Sequence, residues 1–472
     1  MGEVAPNLDQ LRQHLEQSSV PSVFPDAPEF KKLAQSYNRV FSYRPAAICL
    51  PEKDDDVVNA IKSARAQNIK VQPKGGGHSY AAYSSGGQDG SLILHMRNFS
   101  AVKLDVKTKI AVVGAGVRLG QLATELFRQG KRAVPHGTIK NVGVAGHFSH
   151  GGYGYQSRAW GLAVDSICGL DVVLADGRLL HVTENDHPEL FYAFRGAADS
   201  FGVILRFHLR TVPAPEEVVL FSYDIDGIVE DVEEATAAFL NIQQVVQNAN
   251  VVDRDLSFGF YIHNGSWTIW GVFLRNQEVF EAKIAPALLD GFKRPVKKFV
   301  QTMAWLDCLD WFSGNHSNDA TEEAYDTFYA QSALIPEHTP LNEKVVRAYF
   351  ETMQSASLDS SQITSVPVSA SAYTHREMLW VIQHYGYSTN HLPPLLDSTK
   401  AAITRLTRAV RAGVPASSLG AEPNYHDPDM ARDIAHSLHY GEAATRRLEA
   451  LKSEIDPSEV FWNPQSIRPK AN

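Results

Sequence analysis

The stretch PHGTIKNVGVAGHFSHGGYGYQSRAWG, residues 135–161, carries glycine at 137, 143, 146, 151, 152, 154 and 161. Glycine loses more conformational freedom on folding than any other residue. Turns alone do not need that density, whereas backbone amides gathered round a di-anion do, because side chains would hold the amides off the phosphates. A second run, PKGGGHSYAAYSSGG at residues 73–87, sets three glycines directly before His78. Two such loops in one chain imply one long, phosphate-bearing ligand.

The sequence ahead of the triplet reads as α/β. Residues 45–72 pass from a short apolar strand through an acidic cap at Asp54–Asp56 and a helix with Val57, Ile61 and Ala64 on one face to a strand ending in KVQP. The triplet therefore falls at the end of a strand, where open α/β units place ligands. SLILHM and KIAVVGAG read as strands ahead of a helix LGQLATELFRQG. Between them GAGVRLG has the spacing GxGxxxG, and no acidic residue ends a following strand, so it reads as a tight strand-to-helix turn rather than a dinucleotide fingerprint. VDSICGLDVVLADGRLLHV is a hairpin turning at Asp176-Gly177, and Pro213–Pro215 marks a boundary. Past it, DLSFGFYIHNG, SWTIWGVFL and MLWVIQHYG alternate or run apolar like strands with one wet face, and VEEATAAFLNIQQVVQ reads as an amphipathic helix.

At 472 residues the chain is long enough for two or three domains, and 44% hydrophobic with 21% charged residues is an ordinary globular composition. A net charge of −9 with scattered Lys and Arg offers no basic face to nucleic acid or anionic lipid. Cys49, Cys168 and Cys308 are far apart and form no CxxC pair, so neither a disulfide framework nor a metal site is expected. The N-terminus MGEVAPNLDQLRQHLEQ lacks the apolar core of a secretory signal, and no apolar run reaches membrane-spanning length. The expectation is a cytoplasmic protein, with secretion after signal removal as the alternative. Three sequons, at Asn98, Asn264 and Asn315, are close to chance frequency and do not decide between them.

In chain order, PKGGGHSY, GVAGHFSHGGYG, GLAVDSICGLDVVLADGR, LFYAFRGAADSFGVI, NYHDPDM and FWNPQSI resemble the covalent flavoprotein oxidases of the vanillyl-alcohol-oxidase superfamily. Within it they are most similar to the berberine-bridge-enzyme-like branch, near its oligosaccharide oxidases. The likeness is motif-deep over residues 40–215 and 421–469. It implies an α+β fold: a two-part FAD-binding domain of p-cresol-methylhydroxylase type over 1–215, completed by 421–472, and a substrate domain over 216–420 whose antiparallel sheet covers the flavin. It also implies FAD bonded through its 8α carbon to His78; a neutral imidazole is a competent nucleophile toward that position.

The same resemblance lays FAD against Pro73, Lys74, Gly75, Gly76, Gly77, His78, Ser79, Gly137, Thr138, Val142, Gly143, Gly146, His147, Gly151, Gly152, Gly154, Gly161, Val203, Asn463 and Gln465. Tyr425 matches the tyrosine that deprotonates the substrate hydroxyl, and Tyr80 a second tyrosine of the active site. A tyrosine of ordinary pKa near 10 needs its anion stabilised to act as a base. Gln383 and Tyr385 match substrate-side positions, and Val142 the residue lining the pocket where dioxygen meets flavin C4a.

Departures from the pattern accompany the likeness. Sugar-oxidising relatives carry a second flavin link from a cysteine in a GTC segment, but here the segment reads Gly137-Thr138-Ile139, so one covalent bond is the most this chain allows. Tyr385 stands where those relatives have a carboxylate; Glu377 is the nearest carboxylate on that stretch and could point either way, and His384 reads as a satisfied surface or core histidine rather than a catalytic one. The implied activity is an oxidase: a base takes the proton of a substrate C–OH, hydride passes to flavin N5, and dioxygen is reduced to hydrogen peroxide. Its partners are a small molecule and oxygen, acting on a monomer. The alternatives are a tailoring oxidase that desaturates or cyclises a secondary metabolite, and a flavin-binding protein without turnover.

Overall fold

The computed structural model describes residues 8–263, 265–314, 325–355, 361–367 and 374–470. The sequon asparagines 264 and 315 lie outside them. The fold is α+β, built on three main sheets. In the first, strands run in the order 22–23, 47–49, 92–95 and 71–74, the last three parallel. The helix Asp54–Ala66 starts where Asp56 Oδ2 accepts the amides of Glu52 and Lys53 at 3.0 and 3.2 Å, and it buries Val57, Ala60, Ile61 and Ala64 fully. Its crossover skips one position: 92–95 lies between 47–49 and 71–74.

The second sheet is antiparallel, in the order 102–105, 110–114, 203–210, 167–173 and 179–182. In the turn after 110–114, a Cβ on Gly114 would stand 2.1 Å from Phe99 O and one on Gly116 2.1 Å from Met96 O. Those glycines serve close backbone packing. The hairpin at Asp176-Gly177 is present, with Gly177 at φ +84°.

The third sheet has seven antiparallel strands, in the order 297–304, 217–225, 266–273, 256–263, 361–367, 377–387 and 328–336. The helices Val232–Gln247, Glu343–Ser355 and Asp397–Arg411 supply Phe239, Phe350 and Leu406 to a core shared with Phe260, Trp267 and Trp380. Each buried aromatic of this kind contributes on the order of 2–3 kcal/mol through the apolar area it removes from water.

The C-terminal segment returns to the first core, where Leu448, Leu451, Phe461 and Ile467 pack with Val57 and Val71. Val71 N donates to Val460 O at 2.8 Å. Lys452, fully buried, donates from Nζ to Asp456 Oδ2 at 2.6 Å and to the carbonyls of Ser200 and Phe461 at 2.5 and 2.9 Å. Among the described residues no helix is long and apolar enough to cross a membrane.

Candidate active site

The two glycine loops meet each other along one wall of a cavity. A Cβ on Gly76 would stand 2.2 Å from Gly143 N, and one on Gly143 the same distance from Gly76 N. Neither position accepts a side chain without parting the loops. Arg118 ties them together, its guanidinium donating to Gly76 O at 2.6 Å and to Asn141 O. Gly77 sits at φ +76°, a conformation that side chains disfavour.

Between these loops, the 424–426 segment and the seven-stranded sheet lies a cavity of about 450 Å³. The sequence-derived residues Pro73, Gly75, Gly76, Gly77, His78, Ser79, Tyr80, Gly137, Thr138, Val142, Gly143, Gly146, His147, Gly154, Gln383 and Tyr425 line it, as does Ile139.

Eight others stand outside its wall. Lys74 points the opposite way from Pro73 along the strand, and its Nζ donates to Leu33 O and Gln35 O at 3.0 and 2.9 Å. Val203 is fully buried in the core while its neighbours Gly202 and Ile204 reach the cavity. Gly151, Gly152 and Gly161 take φ of 94°, 73° and 84° and shape the chain behind the wall. Asn463 and Gln465 act through lining segments: Asn463 Nδ2 donates to Asp199 Oδ2 at 2.7 Å, and Gln465 Nε2 to Asp427 O and Met430 O at 2.7 and 3.0 Å. Tyr385 stacks on Phe328 and donates to Asp326 Oδ2 at 2.6 Å.

The wall fits a long ligand with polar parts. A Cβ built on Gly146 would meet nothing within 4 Å, so this glycine leaves open the volume a side chain would fill. The hydroxyls of Tyr83 and Ser84, both on the cavity wall, are buried without a hydrogen-bond partner. Burial pushes the His147 pKa down to about 3, and its Nε2 accepts Gly137 N at 2.8 Å, which fixes it neutral on the wall.

Tyrosines crowd the sheet side. Tyr425 Oη and Tyr153 Oη are 2.5 Å apart, and the ring of Tyr80 stacks on that of Tyr425 with centroids 5.2 Å apart. Gln383 Nε2 donates to Tyr80 Oη at 2.9 Å. The ring of His78 lies 4.4 Å from that of Tyr37, whose pKa burial raises to about 12. Burial likewise raises Tyr80 and Tyr425 well above the ordinary phenol value. His384 faces away, its Nδ1 paired with Thr407 Oγ1 at 2.8 Å, and burial lowers its pKa to about 3. Glu377, exposed at the strand's start, does not line the cavity.

Sequence reasoning passed over Tyr153, although it lies inside the quoted GGYG motif; its partner is 272 positions away. It also passed over Arg118 and Asp326, for which no local pattern stood. Asp326 brings the region a carboxylate from beside the strand Phe328–Pro336, and it accepts both Tyr385 Oη and, at 2.9 Å, a hydrogen bond with His391 Nδ1.

A glycine-walled cavity closed by an antiparallel sheet, with a histidine and paired tyrosines on its wall, is built to hold a long ligand and a second, smaller molecule against it. Residues 45–183 match the FAD binding domain family and 423–468 the berberine and berberine-like family. The carbohydrate oxidase of Microdochium nivale is 32% identical, over 96% of this chain and 94% of that protein. The xylooligosaccharide oxidase of Thermothelomyces thermophilus is also 32% identical, over 96% of this chain and 93% of its own. Among solved structures, the glucooligosaccharide oxidase from Acremonium strictum, described with a 6-S-cysteinyl, 8α-N1-histidyl FAD, superposes with a TM-score of 0.91 at 27% identity, covering 98% of this chain and 100% of that one. The chain belongs to the berberine-bridge-enzyme-like family of FAD-linked oxidases, beside its oligosaccharide-oxidising members.

Proposed function

We propose that the protein oxidises a carbohydrate hydroxyl with dioxygen, using one FAD held through His78. The observation that carries this reading is the 2.5 Å pair of Tyr425 and Tyr153 hydroxyls facing the cavity that His78 and the glycine loops line. FAD, when bound, supplies the two-electron acceptor and the site at which dioxygen is reduced to hydrogen peroxide.

The chain's own residues do the rest. Gly76 and Gly143 let the two loops meet, and Gly146, which faces open space, admits the cofactor closely. Tyr425 Oη takes the substrate's hydroxyl proton, and Tyr153 Oη shares the resulting charge state across the short bond. The pair must therefore start one proton short, which burial makes difficult at neutral pH. Tyr80, oriented by Gln383, holds the substrate against that pair. Tyr155, Trp270 and Phe312 form an aromatic wall, Tyr155 stacked on Phe312 with centroids 4.3 Å apart, of the kind that packs against the C–H face of a sugar ring. Ile139 lines the cavity where related oxidases carry the second flavin link, and an aliphatic side chain supports one attachment only.

This reading divides the chain into an FAD-binding part, 1–215 with 421–472, and a substrate part, 216–420. The reading takes the working unit as a monomer. The test is acid precipitation together with a peroxide-coupled screen of mono- and oligosaccharides. Yellow flavin should stay with the denatured protein and leave it in His78→Ala, and at least one sugar should give steady peroxide release. Flavin lost from the unmodified chain would refute the attachment; a screen positive only for non-sugar alcohols would refute the substrate class.

A further inference from the structure

The second sheet carries a cluster on its solvent side that the oxidase reading does not use. Asp171 lies on the strand Ile167–Val173, between His181 on the neighbouring strand Leu179–Val182 and His208 on Val203–Arg210. The register pairs Asp171 with His181 and Gly169 with His208. The period of two along each strand then puts all three side chains on one face, while Leu170, Val172 and Phe207 on the other are buried.

The two imidazoles converge on one carboxylate oxygen. His181 Nδ1 stands 2.7 Å and His208 Nε2 3.2 Å from Asp171 Oδ1, and the three ligand atoms all lie within 4.8 Å of one another. The rings meet edge to face with centroids 4.7 Å apart, so the nitrogens approach the oxygen from different sides. Gly169 makes room for them: a Cβ there would stand 3.1 Å from His181 Cε1 and 3.5 Å from His208 Cβ.

Local charge also suits a cation. Arg206 NH1 approaches Asp171 Oδ2 at 3.5 Å, but that guanidinium is already engaged by both oxygens of Asp54, at 3.0 and 2.5 Å. With neutral imidazoles the group of Asp54, Asp171 and Arg206 carries one net negative charge. The side chain of His181 is 51% exposed, which gives an ion a path in and leaves further coordination positions to water.

We propose that Asp171, His181 and His208 form a surface site for one divalent first-row transition ion of borderline softness, with Zn²⁺ as the representative member. Two imidazole nitrogens and one carboxylate oxygen are the donor set such ions favour over Mg²⁺ or Ca²⁺. Bound there, the ion clasps three adjacent strands of the sheet whose opposite face carries Leu170 and Phe207. Three protein ligands at a half-open surface leave at least one coordination position to water, unlike a closed four-ligand structural site.

The experiment is isothermal titration of the flavin-loaded full-length protein, stripped with EDTA and dialysed, with ZnCl₂ and separately with MgCl₂, alongside thermal melts. The expected result is one Zn²⁺ per chain in the low-micromolar range, no Mg²⁺ heat, and a melting temperature that rises with Zn²⁺. His181→Ala, which removes a largely exposed ring, should weaken Zn²⁺ binding at least 10-fold without lowering the metal-free melting temperature. His208→Gln should weaken it similarly, so the conclusion does not hang on one variant. Absence of Zn²⁺ heat at 100 μM protein, or an affinity unchanged in both variants, would overturn the site.

Discussion

The base role proposed for Tyr425 rests on one atom, its Oη. Removing its hydroxyl leaves a ring that still packs between Tyr80 and Tyr153, so Tyr425→Phe should fold normally and slow flavin reduction by about two to four orders of magnitude in anaerobic stopped flow. Because burial holds the tyrosines of this cluster above the ordinary phenol pKa, the active deprotonated pair grows as pH rises. The reduction rate should therefore climb between pH 6 and 9 with a logarithmic slope approaching one, and Tyr425→Phe should flatten that slope. Val142 poses a separate question, since it lines the cavity on the second glycine loop. Val142→Leu adds one methylene there; reoxidation of photoreduced enzyme by air should slow while anaerobic reduction is unchanged. Equal reoxidation rates would remove Val142 from the oxygen step. At this scale the place of His78, Tyr80 and Tyr425 on the cavity wall was legible because each sits inside a dense motif. Tyr153 was not singled out, because its role depends on a hydroxyl supplied from the far end of the chain.

At the scale of elements, the C-terminal helix Gly441–Ile455 packs Leu448 and Leu451 into the first core and buries Lys452 beside them. Lys452 satisfies three acceptors at once, so removing it leaves Asp456 buried without its counter-charge. Lys452→Ala should destabilise the protein by about 3–5 kcal/mol in urea unfolding, well beyond the loss expected for an exposed lysine. A loss under 1 kcal/mol would mean that water replaces the ammonium there. The helix Val232–Gln247 and the strands 256–263, 266–273 and 377–387 could be read from periodicity, since each buries one face. The order of those strands could not: 377–387 pairs with 328–336 and 361–367, and period-two alternation is the same for any neighbour.

Across the whole molecule, buried histidines set the response to acid. Burial lowers His147 and His384 to about 3, and His375 and His426 to about 4, against about 6.5 in an unfolded chain. Between those values the unfolded chain binds protons that the folded one refuses. Stability is then fully present above pH 6.5 and is lost as pH falls toward 4. Urea midpoints measured at pH 7.5, 6 and 5 should fall progressively, each histidine withdrawing up to about 1.4 kcal/mol per pH unit. A flat profile over that window would show that these rings titrate with solvent access.

The sequence by itself determined the two glycine loops, the absence of a thiol at Ile139 and the α+β class, because each rests on local chemistry: glycine where side chains cannot stand, an aliphatic in place of a thiol, a period of two or 3.6. Tertiary structure alone decided which of those glycines face the cavity, that Lys74, Asn463 and Gln465 work from behind its wall, and that Asp326 meets Tyr385. It likewise brought Tyr153 to Tyr425 and two histidines to Asp171. The physical reason is that a hydrogen bond needs about 3 Å and a direction, and residues far apart along a chain acquire both only when the sheets between them have packed.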